Sequence, residues 1–347
     1  MTVRAALCAL ALPALLFLGS GCFESRYLAG QALGQWHLFR VRERIADILD
    51  DPAAEPVLKA RLRLAMDART FGIEVLGLRG GDNFTRYLAT HGKPIAWNIT
   101  VAPKDTLRPV VWRFPIVGAV PYLGFFAEKD ASTFAASAQA HGFDTYVRPV
   151  AGYSTVGIAS DPVYESMLDE GDARIVEVVL HEMLHGTLYL PGRSAWNESF
   201  ATFVGVHGAA LFFATRQGDD AGRKVLGEAE QRERDEARFG AFLAPVHEAL
   251  EKLYAEPISK EEKLRRREDV FAEAHHRWEA QYPGRRGVFS DARLNNAVVA
   301  SFGVYHHSAP EHDRIWQRMH GNLRRMIDLY RYAVENTDDP TGWLRQF

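Results

Sequence analysis

The sequence predicts an α+β fold that is predominantly helical, with a small β-sheet region between helical N- and C-terminal extensions. Three observations lead to this. Apolar residues recur at helical spacing from residue 27 to about residue 90. Between residues 94 and 158 the pattern changes to short β-branched or aromatic runs separated by Pro and Gly. From Asp172 onward it is helical again. The segments are 22–93, 94–215 and 216–347, read as one unit because no Ser/Gly linker and no long internal repeat divides them.

In the first segment Leu38, Val41, Ile45, Ile48 and Leu49 form one helical stripe, and Leu62, Ala65, Ala68 and Phe71 a second. Both are assigned to packing. In the second, Val110-Val111-Trp112, Thr145-Tyr146-Val147 and the stretch around Tyr153 supply strands, with an Ala-rich helix over residues 130–140. The mostly apolar run 173–180 reads as a buried helix, N-capped by Asp172 and stopped by Pro191-Gly192 after Tyr189-Leu190. Ser194 can cap the next helix, whose Ala195, Phe200, Phe203 and Val204 offer packing positions. The charged run 223–267 reads as a long, partly exposed helical hairpin broken near Pro257.

Composition sets limits on function. With 347 residues and 47% apolar content the chain can bury a large core. A formal charge of −3 gives no electrostatic case for nucleic acid. At the start, Arg4 precedes an almost unbroken apolar run from Ala5 to Leu18, closed by Gly19-Ser20-Gly21-Cys22. This is a secretory signal over residues 1–21, too short for a spanning helix. Residues 18–22 resemble a bacterial lipobox, with leucine four rather than three places before the cysteine. Cleavage before Cys22 removes Cys8 and leaves one thiol, so no intrachain disulfide can form. Lipidation of Cys22 would cap that thiol and anchor the protein to the membrane. The expected location is the bacterial cell envelope, facing the periplasm. Phe23 after the cysteine points to the outer membrane by analogy with enteric bacteria.

The chemistry lies in His181-Glu182-Met183-Leu184-His185, an HExxH motif. Histidines at i and i+4 lie one above the other on one helix face, so both imidazoles can reach one metal ion. Glu182, at the edge of that face, can take a proton from a metal-bound water. Twelve residues after His185 comes Asn197-Glu198, long enough for a tight return that offers Glu198 as a third, anionic ligand. His181, His185 and Glu198 with an open water position form the donor set of a catalytic zinc site, one Zn²⁺ per chain.

HExxH followed by Trp196-Asn197-Glu198-Ser199-Phe200-Ala201 resembles the gluzincin clan of zinc metallopeptidases, and the second stretch is similar to the third-ligand helix of M1-type aminopeptidases. The spacer here is shorter, and no Gly-x-Met-Glu-Asn segment is present. More of the chain resembles a bacterial family of predicted aminopeptidases, often envelope lipoproteins. The similar stretches are residues 27–35, 114–126, 152–157, the metal motifs and Leu294-Asn295-Asn296-Ala297. The resemblance implies a zincin-like catalytic core and a zinc peptidase acting on peptide substrates.

The expected mechanism uses Glu182 as general base. An oxyanion needs a further donor, for which Tyr153, Tyr305 and His207 are candidates. Tyr153 lies where a zincin's substrate-binding edge strand is expected, and Tyr305 on a late helix. Asn295 and Asn296 either orient substrate or cap helices. Two alternatives stay open: a zinc endopeptidase of the envelope, and a non-catalytic lipoprotein that binds peptide or peptidoglycan.

Overall fold

The structure, a computed structural model, describes residues 22–114, 118–150, 160–284, 294–303 and 310–347. It is predominantly helical with small sheets. The chain opens with helix α1 (Cys22–Arg40), strand β1 (Glu43–Arg44), α2 (Ile45–Asp50) and α3 (Pro56–Glu74). There follow β2 (Arg86–Leu88), β3 (Ala96–Pro103), β4 (Trp112–Phe114), β5 (Gly118–Val120) and β6 (Leu123–Phe125). Next come α4 (Glu128–Ala140), β7 (Phe143–Val150), β8 (Val163–Tyr164) and α5 (Glu165–Leu168). The rest is helical among the described residues: α6 (Asp172–Thr187), α7 (Ser194–Gln217), α8 (Asp219–Ala255), α9 (Lys260–Gln281), α10 (Asn296–Gly303), α11 (Pro310–Arg318), α12 (Leu323–Asn336) and α13 (Pro340–Gln346).

The strands form three small sheets rather than one. β6-β3-β7 is antiparallel, with Ile99 opposite Leu123 on one side and Val147 on the other. β4 and β5 make a separate hairpin. In the third sheet β2 pairs antiparallel to β1 and parallel to β8, which joins the N-terminal segment to the stretch before the metal-motif helix. Alternation along β3 sends Ile99 and Val101 into a cluster with Leu123, Ala131 and Ala135 of β6 and α4.

The main core surrounds α6, whose Ile175, Val176, Val179, Leu180, Met183 and Leu184 are almost fully buried. It draws on α2, α3, α7, α11, α12 and α13, so segments from Ile45 to Leu344 meet around one helix. Phe200 of α7 stacks on Tyr330 of α12 at 3.8 Å, both fully buried. Truncating such a ring to alanine costs about 3–5 kcal/mol. A second core forms where the α8–α9 hairpin meets α10 through Phe242, Leu250, Phe271, Trp278 and Val298. There Arg267 and Asp144 form a buried ion pair at 2.7 Å, with Arg267 also donating to the Lys104 carbonyl. Because each charge is paired and hydrogen-bonded, the cost of desolvating it is offset.

Several boundaries differ from expectation. The first stripe is not one helix: α1 stops at Arg40, Leu38, Ile45 and Ile48 are buried, and Val41 is 45% exposed. The second stripe lies buried in α3 as expected. Asp172 is the first residue of α6, not its cap. Gly171, at φ 92°, occupies the cap position, a conformation open to glycine. Asp172 instead meets the positive end of the helix dipole. α6 ends at Thr187, three residues earlier than Leu190, and Arg193 rather than Ser194 precedes α7. The charged hairpin breaks between Ala255 and Lys260, around Pro257.

Candidate metal centre

α6 and α7 run antiparallel and in close contact. Small residues set how closely neighbouring helices approach α6. Gly208 of α7 sits against Leu180, and Gly72 of α3 sits against Leu180 and Met183. The return between α6 and α7 is tied by buried Asn197. Its side-chain amide donates to the Leu190 carbonyl at 2.8 Å and accepts from the Leu190 N–H at 2.9 Å. Both polar groups of the turn residue are thereby satisfied by a residue already committed to α7. The adjacent Glu198 is aimed at α6 as a result.

His181, His185 and Glu198 come together. The two Nε2 atoms are 3.1 Å apart. Glu198 Oε2 lies 3.4 Å from His181 Nε2, and Oε1 lies 3.4 Å from His185 Nε2. Two donors about 2.0–2.1 Å from one tetrahedral zinc ion are about 3.3 Å apart; the histidine pair is close to this at 3.1 Å, and each imidazole faces a different oxygen of Glu198. The cluster could hold a metal ion.

The electrostatics favour a cation at the same point. Burial opposes charge on His185, but Glu198, Glu182 and Asp161 outweigh it and raise its pKa. Desolvation likewise opposes charge on Glu198. The hydrogen bonds from His181 and His185 outweigh it and hold this carboxyl far below the ordinary carboxylate range. Glu182 behaves differently. Desolvation raises its pKa, despite the opposing effect of the two histidines. Its Oε2 is buried and has no hydrogen-bond partner among the described residues. A buried carboxylate oxygen left without a donor is costly unless a ligand or water serves it.

Two neighbours of the cluster lie outside the motifs. Asp161, buried, acts electrostatically on both Glu182 and His185. Its backbone N–H donates to Asn83 Oδ1 at 3.0 Å, and its carbonyl accepts from the Phe84 N–H at 2.7 Å. Asn83 in turn lies beside Gly186 of α6. Tyr189 has its ring centroid 6.4 Å from that of His185, and desolvation followed by the Glu198 charge raises its pKa. Its place just past the metal helix was the signal that could have found it.

The other expected residues fall elsewhere. Tyr153 and Tyr305 lie outside the described residues, as does the 152–157 stretch. Cys22 is the first described residue of α1; the expected signal segment, 1–21, lies outside the described residues. His207, about 13 Å along α7 from Glu198, packs with tilted rings against Phe203 and Trp316, centroids 4.1 and 4.7 Å away. Asn295 caps α10 by accepting from the Val298 N–H, and donates to the Thr145 carbonyl. Asn296 donates to the carbonyls of Pro103 and Thr106, while its backbone N–H reaches Asp144. The structure therefore gives both asparagines a role in holding α10 to the sheet.

A family model described as "Putative aminopeptidase" matches residues 26–338. The chain belongs to this aminopeptidase family. The match spans the described elements from within α1 to the end of α12, with the His181–His185–Glu198 cluster included. No curated protein and no solved structure matches the chain. Membership of the aminopeptidase family suggests peptidase activity, and the His181–His185–Glu198 cluster is compatible with a metal cofactor.

Proposed function

We propose that this aminopeptidase-family protein is a zinc-dependent peptidase of the gluzincin type with a zincin-like core, releasing residues from the amino terminus of peptides. His181, His185 and Glu198 would hold one zinc ion. The observation that carries the reading is the buried, unpartnered Oε2 of Glu182 within electrostatic reach of a compact three-residue donor set. A purely structural site needs no such base and is usually closed by four protein ligands.

Zinc, when bound, supplies Lewis acidity, lowering the pKa of its water toward about 7 and polarising a carbonyl. Glu182 takes the proton as the water adds to the peptide carbonyl, then delivers it to the leaving amine nitrogen. Tyr153 or Tyr305 supplies a hydrogen bond to the developing oxyanion. Tyr189, with its ring centroid 6.4 Å from that of His185, is a third candidate donor near the cluster.

We propose further that the chain is an envelope lipoprotein, anchored through Cys22 and facing the periplasm, the outer membrane favoured over the inner. The test of the enzymatic reading is metal analysis of the purified protein together with digestion of a mixed peptide library read by mass spectrometry. Stoichiometric zinc and cuts confined to amino-terminal residues are expected. Internal cuts would make it an endopeptidase, and no cuts across a broad library would remove the peptidase reading.

A further inference from the structure

Helix α1 is apolar on two sides. One side is bonded to the body: Tyr27 packs edge-on against Phe125 at 5.3 Å, and Gln31 donates to the Gly124 carbonyl at 2.8 Å. Gly34 lies against Phe126, and Leu38 is buried. A surface helix ordinarily presents charged and polar residues on its other side. Here that side presents Leu28, Leu33, Trp36 and Phe39, with Leu33 66% and Trp36 57% exposed. At 3.6 residues per turn, Leu28, Trp36 and Phe39 fall within about 80° of one another, and Leu33 about 60° farther round.

This concentration is unusual within the molecule. Of the ten large apolar residues exposed among the described residues, five lie between Leu28 and Val41. Near the end of the patch the Arg40 guanidinium stands 4.8 Å over the Trp36 ring. A long basic side chain over an indole suits the boundary between acyl chains and headgroups. Residues 22–44 carry four arginines against two glutamates; Arg40 and Arg44 are exposed and Arg42 is buried. In the sequence the apolar run 5–18 stands three residues before Cys22, so the position of α1 along the chain and its outward face point to the same partner.

We infer that the Leu28–Leu33–Trp36–Phe39 face of α1 lies on a phospholipid surface, with Leu33 and Trp36 inserted among the acyl chains. The face holds the catalytic body against the bilayer in one orientation, as an interfacial helix does. No helix among the described residues is long and apolar enough to cross a membrane, so contact through this face is peripheral. The inference extends the envelope location proposed above but does not require acylation.

The experiment uses the chain from residue 22 onward carrying Cys22→Ser, which has no acyl anchor. It is floated with vesicles of phosphatidylethanolamine and phosphatidylglycerol. The protein should float with the vesicles, and Leu33→Ser with Trp36→Ser should lower the bound fraction on the order of tenfold or more. Zinc content and peptidase activity should be unchanged in the double variant, which separates this test from that of the active site. With acyl chains brominated near the headgroup, part of the tryptophan emission should be quenched, and Trp36→Phe should abolish the quenching while vesicle binding persists. Equal flotation of the double variant, absence of flotation, or bound protein without quenching would each overturn the inference. So would a stable dimer that the double variant converts to monomer, since the face would then be covered by a second copy.

Discussion

Gly205 of α7 crosses α6 directly over the carbonyl oxygen of Glu177. A Cβ at Gly205 would stand 2.8 Å from that oxygen and 3.2 Å from the His181 Cβ. The absence of a side chain at one position therefore sets how closely the helix bearing Glu198 approaches the helix bearing both histidines. Glu177 itself is buried and bonded to Arg174 and to Arg232 of α8, so the carbonyl beneath Gly205 belongs to a well-tied turn that cannot readily give way.

Gly205→Ala should thus separate the donors. Zinc affinity, measured by competition with a chelator, is expected to fall roughly tenfold to a hundredfold. Stability should drop by about 1–3 kcal/mol from overpacking. Gly227→Ala, on α8 with nothing within 4 Å of the added Cβ, is the control and should be neutral or slightly stabilising. Unchanged affinity in Gly205→Ala would show that the helices adjust freely.

The ligand assignment predicts one zinc per purified chain by elemental analysis. His185→Ala should lose most of it, because two donors and water hold the ion poorly. Full zinc occupancy in this variant would remove the site.

Base and ligand can be told apart. Glu182→Gln keeps size and shape but cannot accept a proton. It should retain zinc and fold while losing peptidase activity on the order of a hundredfold or more. Glu198→Gln should instead weaken metal binding, since a neutral amide is a poorer zinc ligand than a carboxylate. Near-normal activity in metal-replete Glu182→Gln would exclude the proposed mechanism.

Acid should destabilise the fold through His312. It is 2% exposed, its Nδ1 bonds the Tyr330 hydroxyl at 2.7 Å, and desolvation pushes its pKa down to about 4 against the opposing charge of Glu311. The unfolded histidine binds a proton more readily, so its contribution is fully present above about pH 6.5. It is lost as pH falls toward 4, amounting to about 3 kcal/mol. Chemical denaturation of the metal-free protein at pH 7 and pH 5 should register part of that loss. His312→Gln should shrink the difference, and an identical pH dependence in the variant would assign the acid sensitivity elsewhere.

The anchor is tested by labelling. Growth with a labelled fatty acid should mark the protein, and Cys22→Ser should abolish the mark and let an alkaline carbonate wash strip the protein from membranes. A wild-type protein that carries no label would refute lipidation of Cys22.

Helix content, the shift to short strands after residue 94 and the charged hairpin were all legible, because each is written in local periodicity and in Pro and Gly punctuation. Helix ends were read less well. Gly171 rather than Asp172 occupies the cap position of α6, a choice made by the path of the chain arriving from α5. The division of strands into three small sheets was not legible either, since β2 pairs with β8 across more than seventy residues of sequence.

For the site, the sequence by itself determined that His181 and His185 share a face and that Glu182 adjoins it, because 3.6 residues per turn is a property of any α-helix. It also marked Glu198 as a potential donor. Only the tertiary structure decided that Glu198 lies 3.4 Å from each imidazole, through the clasp of Asn197 on Leu190 and the bare backbone of Gly205. It alone brought Asp161 within reach of Glu182, and gave Asn296 to a buried network with Asp144, 152 residues away. Periodicity is fixed by backbone geometry between neighbours in the chain. Burial, charge environment and donor spacing are fixed by neighbours in space, and those exist only once the chain has packed.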